Sequence, residues 1–200
     1  MSKTNNHLVT FITFVIGLAT LISCGQDPIP KPKAYLRLEY PNPQYFKLKT
    51  ELPFTFEKNA LATDITKIRK QGADQFYGLD VSYPKLKGTL YLTYKHIQSK
   101  ADLIKYLTDA QKFTQEHTQM ADEITEQVYI DSTRNVYGMF YEVGGDAASQ
   151  SQFYVTDSIN HFLLGSLYFY AKPNYDSIMP AADYLRKDIR HIMETLEWKP

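Results

Sequence analysis

The single cysteine of the chain, Cys24, closes the run Leu21-Ile22-Ser23-Cys24. Aliphatic residues, then a small residue, then cysteine form a lipobox pattern, and the chemistry explains the residue types. Only a thiol can form the thioether to diacylglycerol, and the peptidase needs a small residue such as Ser23 beside the bond it cuts. Upstream, Leu8 to Ile22 is an apolar run about the length of a signal-peptide core and short of the roughly 20 residues that cross a bilayer as a helix. The competing reading is an uncleaved anchor with a buried cysteine. It is weakened by Gly25 to Lys33, which adds only Ile29 as an apolar residue. With Cys24 committed to lipid, no thiol remains for a disulfide, a zinc site or thiol catalysis. Two or more acyl chains hold a protein stably on a membrane, where one binds only marginally.

The remaining chemistry-bearing residues do not converge in sequence. Histidines at positions 7, 96, 117, 161 and 191 show no metal-ligand spacing, and His117 and His191 fall on helical segments where a solvated or helix-end role is usual. Ser149, Ser151 and Ser166 lack the Gly-x-Ser-x-Gly context of a nucleophile elbow. Gly144-Gly145-Asp146 has no Lys-Ser/Thr partner and reads as a turn, not a phosphate loop. The pairs Asp122 with Glu123 and Glu194 with Glu197 are expected on polar helix faces with nothing to raise a pKa. No catalytic residue, metal ligand or cofactor site is expected.

Composition narrows the partners. The 200 residues carry 22 basic and 22 acidic side chains, so no basic surface is expected to track phosphates, and nucleic acid is excluded as a partner. Aromatics make up 14%, with 16 tyrosines. Tyrosine suits half-buried strands, and an exposed cluster of it would mark a protein or glycan surface.

Three segments follow: a signal peptide over 1–23, the lipidated cysteine and a proline-rich tether over 24–34, and one domain over 35–200. In the tether Pro28, Pro30 and Pro32 fix φ and disfavour helix before them, giving a stiff spacer or a leader with no spacing role. As a spacer it reaches on the order of 30 Å at about 3.1 Å per residue. Tyr35 to Tyr40 alternates and stops at Pro41; Gln44 to Leu48 alternates again, as edge strands or extended chain. Arg37 and Glu39 share a face opposite Leu36 and Leu38, as a solvated pair does. With Tyr35 and Tyr40 they form the candidate docking or folding-specific segment.

Within the domain, Phe54 to Glu57 reads as a strand, and Phe76 to Tyr83 with Thr89 to His96 as a hairpin. Ser99 with Asp102 signals a helix start, and Leu103, Ile104, Leu107 and Ala110 recur at helical spacing, giving a helix from Lys100 to His117 or as far as Ala121. Strands follow at 124–130, 135–143, 151–156 and 161–170, with connections short enough for antiparallel neighbours. The last is apolar on both faces and should lie centrally, covered on both sides. A closing helix from Asp176-Ser177, with Pro180 in its first turn, carries Ile178, Ala182, Leu185, Ile189, Ile192, Met193 and Leu196 as its buried stripe. The result is an α+β fold, an antiparallel sheet with helices packed on it, which resembles in topology the α/β/α sandwich of the PsbP/Mog1-like group.

The lipobox, the stretch Pro30-Lys31-Pro32-Lys33-Ala34-Tyr35-Leu36-Arg37-Leu38-Glu39-Tyr40-Pro41 and the tail Leu196-Glu197-Trp198 resemble the gliding motility lipoprotein GldD family of Bacteroidota. Ala34 stands where that pattern would have glycine. The resemblance implies a non-enzymatic lipoprotein of the cell envelope, required for gliding and linked to the type IX secretion machinery. Its only attached groups would be the acyl chains on Cys24, diacylglycerol and palmitate, holding it on the periplasmic side of a membrane. Other gliding and secretion envelope proteins would be its partners. A different class, an envelope carrier of lipid or a small ligand, would need an apolar pocket between sheet and helices.

Overall fold

The computed structural model describes residues 38–63, 65, 68–71, 76–117, 121–170 and 175–199. Ser23, Cys24, the tether, Tyr35 and Arg37 lie outside the described residues. Along the chain come β1 (Tyr45–Lys47), β2 (Phe54–Thr55), β3 (Glu57–Asn59), β4 (Ile68–Gln71), β5 (Phe76–Tyr83), β6 (Gly88–His96), α1 (Lys100–His117), β7 (Glu123–Asp131), β8 (Val136–Gly144), β9 (Ser151–Thr156), β10 (His161–Phe169), α2 (Tyr175–Thr195) and β11 (Glu197–Trp198). Among the described residues this is a mixed α and β fold with two α-helices and antiparallel strand pairs, in line with the expected class.

The main sheet runs β4-β5-β6-β10-β9-β8-β7, with every neighbouring pair antiparallel. β10 is the middle strand, as its two apolar faces require. Leu163 and Leu167 point to one face, where they join Leu185, Ile189, Ile192 and Met193 of α2. Phe162 and Leu164 point to the other, where they join Leu103, Tyr106, Leu107 and Ala110 of α1. Each helix therefore covers its own face of the sheet. Fully burying Phe54, Phe56, Phe153 and Phe162 stabilises the fold by about 1.5–3 kcal/mol for each side chain.

The helix starts follow local chemistry. For α1, Asp102 N–H donates to Ser99 Oγ at 3.2 Å, while Asp102 Oδ2 accepts from Ser99 Oγ and Gln98 N–H, which closes the capping pair. For α2, Asp146 Oδ1 reaches in from the β8–β9 loop to accept the Tyr175 N–H at 2.9 Å. Ile104 departs from expectation. It is 56% exposed, and Tyr106 takes the buried position in its place.

The expected strand over Phe54 to Glu57 is divided. β2 pairs with β11 and β3 pairs with β1, so the chain changes partner at Phe56, whose ring is fully buried. The β8–β9 connection is also longer than a tight turn: Gln150 bridges it by donating from Nε2 to the Gly145 and Ala147 carbonyls.

Candidate functional site

Of the docking candidates, Glu39 and Tyr40 are within the described residues. Glu39 is exposed. Tyr40 turns inward, its ring centroid 5.1 Å from that of Tyr184 on α2. Tyr184 donates its hydroxyl to the Pro41 carbonyl at 3.1 Å. The leading segment is thus keyed to the last helix.

The keying continues into β1 and β3. The Tyr45 hydroxyl donates to Asp188 Oδ1 at 2.7 Å, and Asn59 Nδ2 donates to the same oxygen at 2.9 Å and to the Tyr184 hydroxyl at 3.1 Å. The Tyr45 ring stacks on His191 with centroids 3.6 Å apart. His191 Nε2 meets Glu57 Oε2 at 2.8 Å, and Glu57 N–H donates to Thr195 Oγ1 at 3.0 Å. Burial, then the bond to Asp188, pushes the Tyr45 phenol well above its ordinary pKa, so it stays a donor.

Asp188 is 1% exposed and anchors this network. Its second oxygen and the buried Tyr83 hydroxyl complete no hydrogen bond among the described residues. The two nonetheless interact: burial first, and then the Asp188 charge, push Tyr83 well up. At that depth Asp188 is out of reach of a solvent-borne substrate, and its work is to join α2 to the leading segment. Sequence reading missed it. The available signal was its spacing, three residues after Leu185 and four before Ile192, which puts a carboxylate on the apolar stripe.

Two of the surface grooves bring further titratable groups together. One of about 410 Å³ between β7, β8 and α2 is lined by Glu123, Glu142, Asp183 and Arg186. Here Arg186 joins Glu142, at 2.7 Å, to Asp183, while Arg190 meets Glu142 at 2.5 Å and lies over the Phe140 ring. The other, of about 470 Å³, is lined by Arg134, Asp157, His161, Trp198 and Lys199. His161 Nδ1 is 2.7 Å from the Tyr94 hydroxyl, and its ring is stacked on Trp198 at 5.0 Å. Burial pushes its pKa down, partly opposed by Asp157.

Three of the tyrosines, Tyr91, Tyr168 and Tyr170, form a partly exposed cluster. The Tyr91 and Tyr170 hydroxyls are 2.9 Å apart, and Tyr91 packs edge-on to Tyr168. The bond to Tyr170, followed by burial, pushes Tyr91 up to about 12. Among the described residues no group of three or more His, Cys, Asp or Glu could hold a metal ion, and no helix is long and apolar enough to cross a membrane.

The fold and the junction define a class: an α+β domain whose first described segment is clamped to its closing helix. A sequence model of the gliding motility lipoprotein GldD family matches residues 25–198, and the chain belongs to that family. Membership associates it with gliding motility and with lipid anchoring in the cell envelope. Searches of curated proteins and of solved structures return no match.

Proposed function

We propose that this chain is a lipid-anchored, non-enzymatic accessory or assembly component of the gliding and type IX secretion machinery of a Bacteroidota cell, required for gliding. The observation that carries this reading is the extent of the family match, which starts beside Cys24 and runs through tether and domain to Trp198. Acyl chains on Cys24 hold the chain on the periplasmic side of a membrane, the signal peptide having been removed between Ser23 and Cys24. The proline tether spaces the domain, and the domain docks on the machinery. One helix on each face of the sheet supports a place beside the PsbP/Mog1-like sandwiches. The carrier reading gains nothing from the groove between β7, β8 and α2, which is lined by the ion pairs of Arg186 with Glu142 and Asp183.

The test is cell fractionation and spreading on agar. With Cys24→Ala the protein leaves the membrane fraction and gliding stops; a variant that stays membrane-bound and glides would overturn the anchoring. For the non-enzymatic role, Glu123→Gln and His161→Gln variants that fold normally should glide and export type IX cargo as the parent does. Loss of gliding with an intact fold would point to catalysis or ligand chemistry.

A further inference from the structure

The two edges of the main sheet are unlike. β4 has four residues, Ile68-Arg69-Lys70-Gln71, and Arg69 is locked onto Asp80 by two bonds of 2.6 and 2.7 Å. Short length and cationic residues are the usual protection of a sheet edge. β7 has none of that protection. It runs for nine residues, Glu123-Ile124-Thr125-Glu126-Gln127-Val128-Tyr129-Ile130-Asp131, in unbroken register with β8, without proline, lysine, arginine or a bulge. Among the described residues nothing pairs with its outer side.

Its side chains carry a readable pattern. Ile124, Glu126, Val128 and Ile130 share the α1 face, where Ile124 packs beside Tyr141 and Met139. Farther along the strand, Val128 and Ile130 are each 68% exposed. Glu123 and Glu126 are exposed, and neither forms an ion pair among the described residues, whereas Asp131 is neutralised by Arg134 at 2.5 Å.

From this we infer that β7 is a docking edge that takes an added β-strand from a partner protein. The partner segment is extended and basic-apolar, reading apolar-x-apolar-x-Lys/Arg-x-apolar against Ile130, Val128, Glu126 and Ile124. Strand addition obtains affinity from main-chain bonds and specificity from alternate side chains. Two apolar neighbours cover Val128 and Ile130, and the cation answers Glu126. A second copy of this chain does not fit. Two β7 strands paired about Gln127 set Glu123 against Asp131 and offer Glu126 no cation, because the strand contains none. This surface is independent of whether the partner belongs to the gliding machinery.

The probe is the acetylated, fluorescein-labelled peptide Thr-Val-Thr-Ile-Thr-Lys-Thr-Val-Thr, titrated into the full chain in detergent micelles, with amide exchange read by NMR. Binding that slows exchange of β7 amides, weakens about fivefold or more in Glu126→Lys, and returns when the peptide lysine becomes glutamate is the expected result. Val128→Lys, on an exposed position, should weaken it too at unchanged melting temperature. No binding at millimolar peptide overturns the inference. So does equal binding of the glutamate peptide to the parent, or of a peptide N-methylated at alternate residues. In gliding cells, a photocrosslinking residue at position 128 should capture a partner peptide of the stated pattern. Capture only of a second copy, or of residues 1–37 of the same chain, would overturn it.

Discussion

The Tyr45 hydroxyl meets Asp188 Oδ1 at 2.7 Å across 143 positions of sequence, and the same tyrosine lies flat on His191. One residue of the first strand is thereby tied twice to the last helix. Removing the acceptor leaves Tyr45 and Asn59 with unpaired polar groups beside a hole, so Asp188→Ala should destabilise by about 2–4 kcal/mol. Asp188→Asn keeps an acceptor and should cost about 1 kcal/mol, and Tyr45→Phe about 1–2 kcal/mol. Urea unfolding measures all three, and a double-mutant cycle should show coupling between the two positions. Strictly additive effects would mean the bond does not matter to folding.

Two glycines stand where the sheet leaves no room. A Cβ at Gly138 would lie 1.9 Å from the Tyr154 carbonyl oxygen, and one at Gly165 would lie 2.1 Å from the Phe153 ring. Backbone cannot yield as a ring can. Gly138→Ala should therefore cost about 3 kcal/mol or more and Gly165→Ala about 1–3 kcal/mol. Thermal unfolding decides it, and the reverse order would refute the argument.

Acid should weaken the fold through His161. Above its ordinary value of 6.5 the imidazole is neutral in both folded and unfolded chains and has no effect on stability. Below that value the unfolded chain takes up a proton first, because burial, aided by the neighbouring His96, holds the folded pKa lower. Stability then falls with pH between 6.5 and the lowered folded pKa. Asp157 works against the shift. Melting temperatures from pH 7.5 to 5 should decline more steeply for the parent than for His161→Gln. Parallel curves would remove His161 as the cause. The contribution of Asp131, held low by Arg134, is fully present above its ordinary 3.8 and is lost only as pH falls below that, outside this window.

Glu142 accepts from Arg186, Arg190 and Gln127 and so joins β8 to α2. The arginines are partly exposed, at 36% and 41%, so solvent discounts the pairs. Glu142→Gln should destabilise by about 1 kcal/mol at low salt and less at high salt. A difference that does not shrink with salt would contradict the electrostatic reading.

Much of the fold was legible because its elements carry strong periodicity. The β5–β6 hairpin, the Ser99-capped α1, the four strands from β7 to β10 and the stripe of α2 all sit within a few residues of where pattern places them. The double apolar face of β10 announced its central position. What stayed hidden lacks apolar period. β4 has Ile68 as its one apolar residue, and β11 is two residues long, just after a helix. β2 and β3 are one apparent strand, divided because β2 pairs with the distant β11 while β3 pairs with the nearby β1. The junction was half legible. Tyr40 was marked, but Tyr45, Asn59, Asp188 and His191 come together only through the register of β1 with β3 and the packing of α2, which no local spacing encodes.

β2 finds its partner in β11, at the far end of the chain, and Tyr45 finds Asp188 almost as late. A chain delivered amino end first cannot complete these contacts until Asp188 and Trp198 have emerged. Under the proposed export, in which a signal peptide leads the unfolded chain through a membrane, this ordering would act as a timer. The strands that close the domain would then stay unpaired throughout transit, and folding would finish only when export had.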